Sequence, residues 1–284
     1  LVTPFDQNGS INFDAFGRLI DAQIEAGVDA VCVCGTTGES ATMSIREHNA
    51  AVEYCVKRVN KRVKVIAGAG SNDTSAAVYL SQHAQDYGAD ALLHVTPYYN
   101  KASQTGLIKH YEYIAARTDL PIILYNVPGR TGVSFTADTY KVLSEVPNIN
   151  GVKEASGNFS LLAHTRCLCP DDFYIWSGND DQVVPMMSLG AKGVISVASN
   201  IIPDVMVKMS HLCLENDFEA ASKLQIDYMD LIDALFIEVN PIPIKAAMNL
   251  MGMEAGTLRL PLCDMAEKNL ELLRRAMVQK GLLK

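Results

Sequence analysis

Pro121-Ile122-Ile123-Leu124-Tyr125-Asn126-Val127-Pro128-Gly129-Arg130-Thr131-Gly132 is an apolar run that stops at a tyrosine and passes into a loop stiffened by proline and glycine. Its first half is rich in residue types that favour strands, and its second half is turn chemistry carrying an arginine. The same order recurs along the chain. Comparable runs span Ala30 to Cys34, Val63 to Ala67, Ala91 to Thr96, Gly151 to Glu154, Phe173 to Ser177 and Gly193 to Val197. Successive starts lie 20 to 33 residues apart, the length taken up by one strand, one helix and two turns. Several runs are continuously apolar, as parallel strands covered on both faces should be.

Between the runs the helical period is legible. Phe16, Leu19, Ile20, Gln23, Ile24 and Gly27 share one face, with Asn12 placed to cap the start, and Ser44 with Glu47 forms a capping box. The Thr3-Pro4 stub, with residues expected ahead of Leu1, supplies an eighth strand. Eight such units closed on themselves make a (β/α)8 TIM barrel, and the open doubly wound alternative lacks its usual Gly-rich phosphate turn. Beyond residue 200 the pattern is helical, notably over Asp217 to Val239, Ile244 to Met251 and Pro261 to Gly281. The expected organisation is an α/β barrel over 1–215 followed by a C-terminal helical domain over 216–284.

The composition narrows the function. With 24 basic and 32 acidic residues among 284, net charge −8 and no long basic block, nucleic-acid binding is disfavoured. No apolar stretch approaches the roughly 20 residues of a membrane span, and no signal-peptide pattern opens the chain. The seven cysteines are odd in number and lack a C-x-x-C pair, which reads as reduced thiols in a cytoplasmic protein. The six histidines form no H-x-x-x-H pair and no G-x-S-x-G is present, so neither a catalytic metal nor a serine hydrolase is expected.

In a barrel the chemistry sits where strands end. The ends here are polar: Gly35-Thr36-Thr37-Gly38-Glu39, Thr96-Pro97-Tyr98-Tyr99-Asn100, Tyr125 to Gly132, Lys153-Glu154-Ala155-Ser156-Gly157 and Ser177-Gly178-Asn179-Asp180. Lys153 stands out. Burial penalises an ammonium and favours the free amine, which is the nucleophile that condenses with a carbonyl to form a Schiff base. Tyr125, Thr37 and Tyr99 are candidates for passing protons, and the planar fork of Arg130 suits a substrate carboxylate. Each has a plainer alternative: Lys153 paired with Glu154 or another carboxylate, Tyr125 as a packed aromatic, Thr37 as a turn residue, Tyr98 and Tyr99 as rim or interface aromatics, Arg130 in a surface ion pair.

Gly35-Thr36-Thr37-Gly38-Glu39-Ser40, Tyr125 to Gly132 and Gly151-Val152-Lys153-Glu154-Ala155, together with Asn240-Pro241-Ile242-Pro243-Ile244-Lys245, resemble the dihydrodipicolinate (4-hydroxy-tetrahydrodipicolinate) synthase family over essentially the whole chain. The resemblance implies a Schiff base between Lys153 and pyruvate, whose enamine attacks L-aspartate 4-semialdehyde on the route to lysine and diaminopimelate, without a cofactor. It further implies a proton relay of Tyr125, Thr37 and Tyr99, the last reaching into a neighbouring subunit. Thr36 is implied at the pyruvate site, Arg130 on the semialdehyde carboxylate, Gly178 and Ile195 along the pocket, and a homotetramer built as a dimer of dimers. Sister Schiff-base enzymes such as N-acetylneuraminate lyase or a keto-deoxy sugar acid aldolase typically carry Gly-Ser-Thr-Gly-Glu and lack the loop arginine. Thr36 and Arg130 favour the synthase. A ligand-binding descendant of such an enzyme should have lost the lysine or part of the relay, and all four residues are present. The family's lysine-binding positions match Ser40, Ala41, His48, Asn72 and Tyr98, but its key glutamate falls on Ala76 and a frequent histidine on Ile45, so weak feedback by lysine is expected.

Overall fold

A computed structural model describes residues 1–284. Six strands, β1 (Ala30–Val33), β2 (Lys64–Gly68), β3 (Ala91–Val95), β4 (Ile122–Asn126), β5 (Ile149–Glu154) and β6 (Tyr174–Ser177), form one parallel sheet in chain order. Helices Ile45–Val59, Thr74–Tyr87, Gln104–Ala115, Ala137–Ser144 and Phe159–Leu168 make the crossovers. Local chemistry starts them where expected. Asn12 accepts the Ala15 amide ahead of helix Phe13–Glu25, the Ser44/Glu47 box is formed, and Asp73, Ser103, Thr136 and Asn158 cap the later helices.

Both faces of the sheet are apolar, for different reasons. Val31, Val33, Val65, Ala67, Leu92, Ile122, Leu124, Ile149, Val152 and Ile175 join the large core shared with the helices. The alternate residues face the other way. Leu93, Ile123, Tyr125 and Val127 form a second, smaller cluster lined by Cys32, Ile66, Val95, Trp176 and Ile195, from strands at both ends of the sheet. A flat sheet keeps its ends apart, so this shared inner cluster marks a curled one.

The ladder ends differently from expectation. Gly193 to Val197 is not a full seventh strand: Ser177 makes a single bridge to Val194, with the Ser177 amide donating to Gly193 O (2.8 Å) and the Ile195 amide to Ser177 O (2.9 Å). Farther on, the amides of Val197 and Ala198 donate instead to the buried Asp180 carboxylate (3.0 and 2.9 Å), and the chain turns into the short helix Ala198–Asn200. Thr3-Pro4 likewise builds no ladder. The first residues still reach the β1 edge and the short helix beyond β6, since the Leu1 backbone nitrogen donates to Cys32 O (2.9 Å) and the Val2 amide to Asn200 Oδ1 (3.0 Å).

The last third is helical, over Pro203–Leu214, Phe218–Ala234, Ile242–Leu250 and Glu267–Gln279. The final helix starts later than the sequence pattern suggests. Residues 261–266 lie outside it, with the Ala266 amide taken by Glu238 Oε1 (3.0 Å). No helix is long and apolar enough to cross a membrane.

Candidate active site

Strand period 2 sorts β5 by face: Val152 joins the core under the helices, Lys153 faces the inner cluster, and Glu154 faces outward again. Glu154 is therefore unavailable to Lys153. Its oxygens accept from Asn126 Nδ2 (3.1 and 3.0 Å), Tyr140 Oη (2.8 Å) and the Ser156 amide (2.8 Å). The pairing that would make Lys153 merely structural is absent. Burial and the neighbouring Glu154 raise the Tyr140 phenol well above its ordinary pKa, so it remains a donor to that carboxylate.

Lys153 is 9% exposed, and its Nζ lies 4.5 Å from the centre of the Tyr125 ring, its register partner on β4. Gly178 makes room for the lysine stem. A Cβ on Gly178 would stand 3.1 Å from Lys153 Cε, 3.2 Å from its Cγ and 2.7 Å from Ala155 Cβ. Ile195, hydrogen-bonded through its backbone to Ser177, closes the same cluster. Lys153, Tyr125, Gly178 and Ile195 are thus brought together on the inner face.

Thr36 and Thr37 occupy the turn after β1, where the Glu39 amide donates to Thr36 O (3.1 Å). Asn240, from the helical part of the chain, donates through Nδ2 to Thr37 Oγ1 (3.0 Å), while its backbone oxygen accepts from Arg130 Nη2 (3.1 Å). One buried residue therefore links the turn to the arginine, which otherwise stands exposed on the short helix Pro128–Thr131. Asn240 was missed as a site residue. Its segment is conspicuous in the sequence, but nothing local identifies its partners.

Tyr99 is not brought in. It is 91% exposed, with backbone in the left-handed region (φ 71°), a conformation costly for a bulky residue. Tyr98 is also exposed, and its carbonyl accepts from Asn72 Nδ2 (3.1 Å). Among the other expected regulatory positions, Ser40 and Ala41 lie in the single-turn helix Ser40–Thr42, and His48 is buried with Nε2 2.7 Å from Gly68 O. Burial lowers the His48 pKa, so the ring is neutral at pH 7. Ala76 and Ile45 carry no charge at the neighbouring positions.

Asp180, at the polar end of β6, holds the Val197 and Ala198 amides. Burial raises its pKa, against the opposing effects of the Ser196 hydroxyl, the Ala198 and Val197 amides and the Lys153 charge. No three His, Cys, Asp or Glu side chains converge as metal ligands. The arrangement offers a buried primary amine beside a phenol, and a threonine hydroxyl and a guanidinium tied to a common asparagine.

A family model described as the dihydrodipicolinate synthetase family matches residues 1–280. The 4-hydroxy-tetrahydrodipicolinate synthase of Acetivibrio thermocellus is 52% identical over 283 residues, covering 100% of this chain and 96% of its own. A solved dihydrodipicolinate synthase from Aquifex aeolicus aligns with TM-score 0.97 and 43% identity over 99% of this chain and 96% of its own. One from Cyanidioschyzon merolae, with lysine bound, aligns with TM-score 0.97 and 42% identity over 100% and 97%. By sequence over nearly its full length and by fold, this chain belongs to the dihydrodipicolinate synthetase family of lyase-type synthases.

Proposed function

We propose that the chain is a 4-hydroxy-tetrahydrodipicolinate synthase that condenses pyruvate with L-aspartate 4-semialdehyde in lysine and diaminopimelate biosynthesis. The observation that carries this reading is Lys153: buried, free of a carboxylate partner, and 4.5 Å from the Tyr125 ring. Its Nζ adds to the keto carbon of pyruvate, and loss of water leaves an imine. Loss of a methyl proton converts the imine to an enamine, whose carbon attacks the aldehyde while the aldehyde oxygen takes up a proton. The semialdehyde's own amine then displaces Lys153 as the ring closes, which frees the enzyme.

Tyr125 and the Thr37 hydroxyl move the protons, Tyr99 of a second copy completes the relay, and Thr36 lines the pyruvate site. Arg130 holds the semialdehyde carboxylate, and the backbone at Gly178 and Ile195 borders the pocket. This role for Tyr99 accounts for an exposed tyrosine on strained backbone. We further assign a (β/α)8 barrel over 1–215 with a helical domain over 216–284, a homotetrameric dimer of dimers, a cytoplasmic location and no cofactor. The curled sheet and the contacts of residues 1 and 2 with Cys32 on β1 and with Asn200 beyond β6 support the barrel, and the seven free cysteines suit a reducing compartment.

Borohydride reduction in the presence of pyruvate should fix a stable adduct on the peptide carrying Lys153. Turnover should then require aspartate semialdehyde as acceptor. An unmodified peptide, or turnover with sugar aldehydes but not with aspartate semialdehyde, refutes the assignment.

A further inference from the structure

The turn that carries Thr36 and Thr37 is held from beneath by a part of the chain more than 200 residues away. Glu39 closes the turn through its amide, adopts left-handed backbone (φ 55°) and buries its carboxylate completely. Lys245, only 1% exposed, places its Nζ 2.6 Å from Glu39 Oε1, donates to Thr257 O (2.6 Å) and lies 4.5 Å from the Phe5 ring. The other Glu39 oxygen accepts the Arg259 amide (3.1 Å). Five residues before Lys245, Asn240 reaches the same turn at Thr37 and receives Arg130.

Enclosing two charges costs solvation that their attraction roughly offsets, so a buried pair is a weak source of stability compared with apolar residues of like volume. What such a pair supplies is a fixed relative position. Burial lowers the Lys245 pKa while the Glu39 charge opposes the shift, in keeping with two groups that depend on each other. Neither residue is open to a substrate.

We propose that Glu39 and Lys245 are positioning residues: their buried pair fixes the Gly35–Glu39 turn against the 240–259 segment, so that Asn240 sets the Thr37 hydroxyl and the Arg130 guanidinium relative to Lys153. This rests on the reaction assigned above. Lys245→Met alone leaves a buried carboxylate without its partner and destabilises the protein. The double variant Glu39→Gln/Lys245→Met has no unpaired charge and recovers the thermal midpoint. If the pair positions the turn, the double variant still shows a pyruvate KM raised about tenfold or more, while saturating pyruvate and borohydride still label Lys153. Recovery of KM and kcat together with the midpoint overturns the proposal. Should the double variant not fold, Asn240→Ala, which leaves the pair intact and frees the Thr37 hydroxyl, carries the test: a roughly tenfold fall in kcat at an unchanged midpoint supports the proposal, and an unchanged kcat overturns it. Failure to label the wild type overturns the Lys153 reading and this proposal with it; a labelled wild type beside a kinetically normal double variant overturns the positioning role alone.

Discussion

Gly178→Ala tests whether the lysine stem needs the space the fold leaves for it. The added Cβ would meet Ala155 Cβ at 2.7 Å and the Lys153 Cε and Cγ atoms at 3.1 and 3.2 Å. The first contact must be relieved by movement, and the other two press on the reactive side chain. Overpacking of this kind costs about 1–3 kcal/mol. In a chain of this size that lowers the thermal midpoint by roughly 2–5 °C. Displacing Nζ by a fraction of an ångström should slow imine formation by about 10–100-fold, read as the rate of borohydride-trappable adduct at saturating pyruvate. The companion variant Ala155→Gly/Gly178→Ala removes the 2.7 Å contact but keeps both contacts with the lysine. Its midpoint should recover while its trapping rate stays low. If Gly178→Ala traps pyruvate at the wild-type rate in spite of a lowered midpoint, the steric argument is wrong.

Four further outcomes are expected. Burial holds His94 and His110 down to about 3 and about 4, so below about pH 6.5 the unfolded chain takes up protons that the folded one refuses. Stability is complete above that pH and falls on acidification, His94 alone contributing a loss of about 2 kcal/mol by pH 5; His94→Gln should flatten the slope in denaturant titrations, and an unchanged slope contradicts the assignment. Tyr99→Phe and Lys153→Ala should each be nearly inactive, yet co-refolding them should restore roughly a quarter of wild-type activity if Tyr99 serves the neighbouring site in an isologous dimer, and none if it acts within its own chain. Lysine should inhibit weakly, because a ligand ammonium facing Ala76 and Ile45 lacks a charged partner worth about 1.5–3 kcal/mol; sub-millimolar inhibition in a steady-state assay counts against this. Thr37→Val should lower kcat and Thr36→Val should raise the pyruvate KM; the opposite pattern exchanges their roles, a real alternative because Asn240 already engages the Thr37 hydroxyl.

What the sequence revealed and what it concealed follow the range of the interactions. The Ser44/Glu47 box, the Asn12 cap and the placement of Lys153 and Tyr125 at strand ends depend on neighbours within a few residues, and they are found as read. The apolar pattern overstates the seventh strand because its last amide, of Val197, and the Ala198 amide after it are captured by Asp180, 17 and 18 residues away, which no β-propensity registers. The periodicity begins the last helix too early because the backbone just ahead of Glu267 is engaged elsewhere, the Ala266 amide donating to Glu238. Asn240 was invisible as a site residue because its partners stand 203 and 110 positions off.

The position of Lys153 itself depends on a single irregularity. β4 and β5 pair Ile122 with Ile149, and then Ile123 with Gly151, so Asn150 is passed over. Because successive strand residues alternate faces, one extra residue inverts everything after it. Ile149 and Ile122 both face the helices, as do Val152 and Leu124 beyond the bulge. With regular pairing through Asn150, Tyr125 would lie opposite Val152, and Lys153 would turn toward the helices while Glu154 entered the inner cluster. The bulge instead sets Tyr125 opposite Lys153 and leaves Glu154 to Asn126 and Tyr140. The amine and the phenol face each other because β5 carries one residue more than the ladder needs, and the carboxylate that could have paired with the lysine's charged form is turned away by the same step.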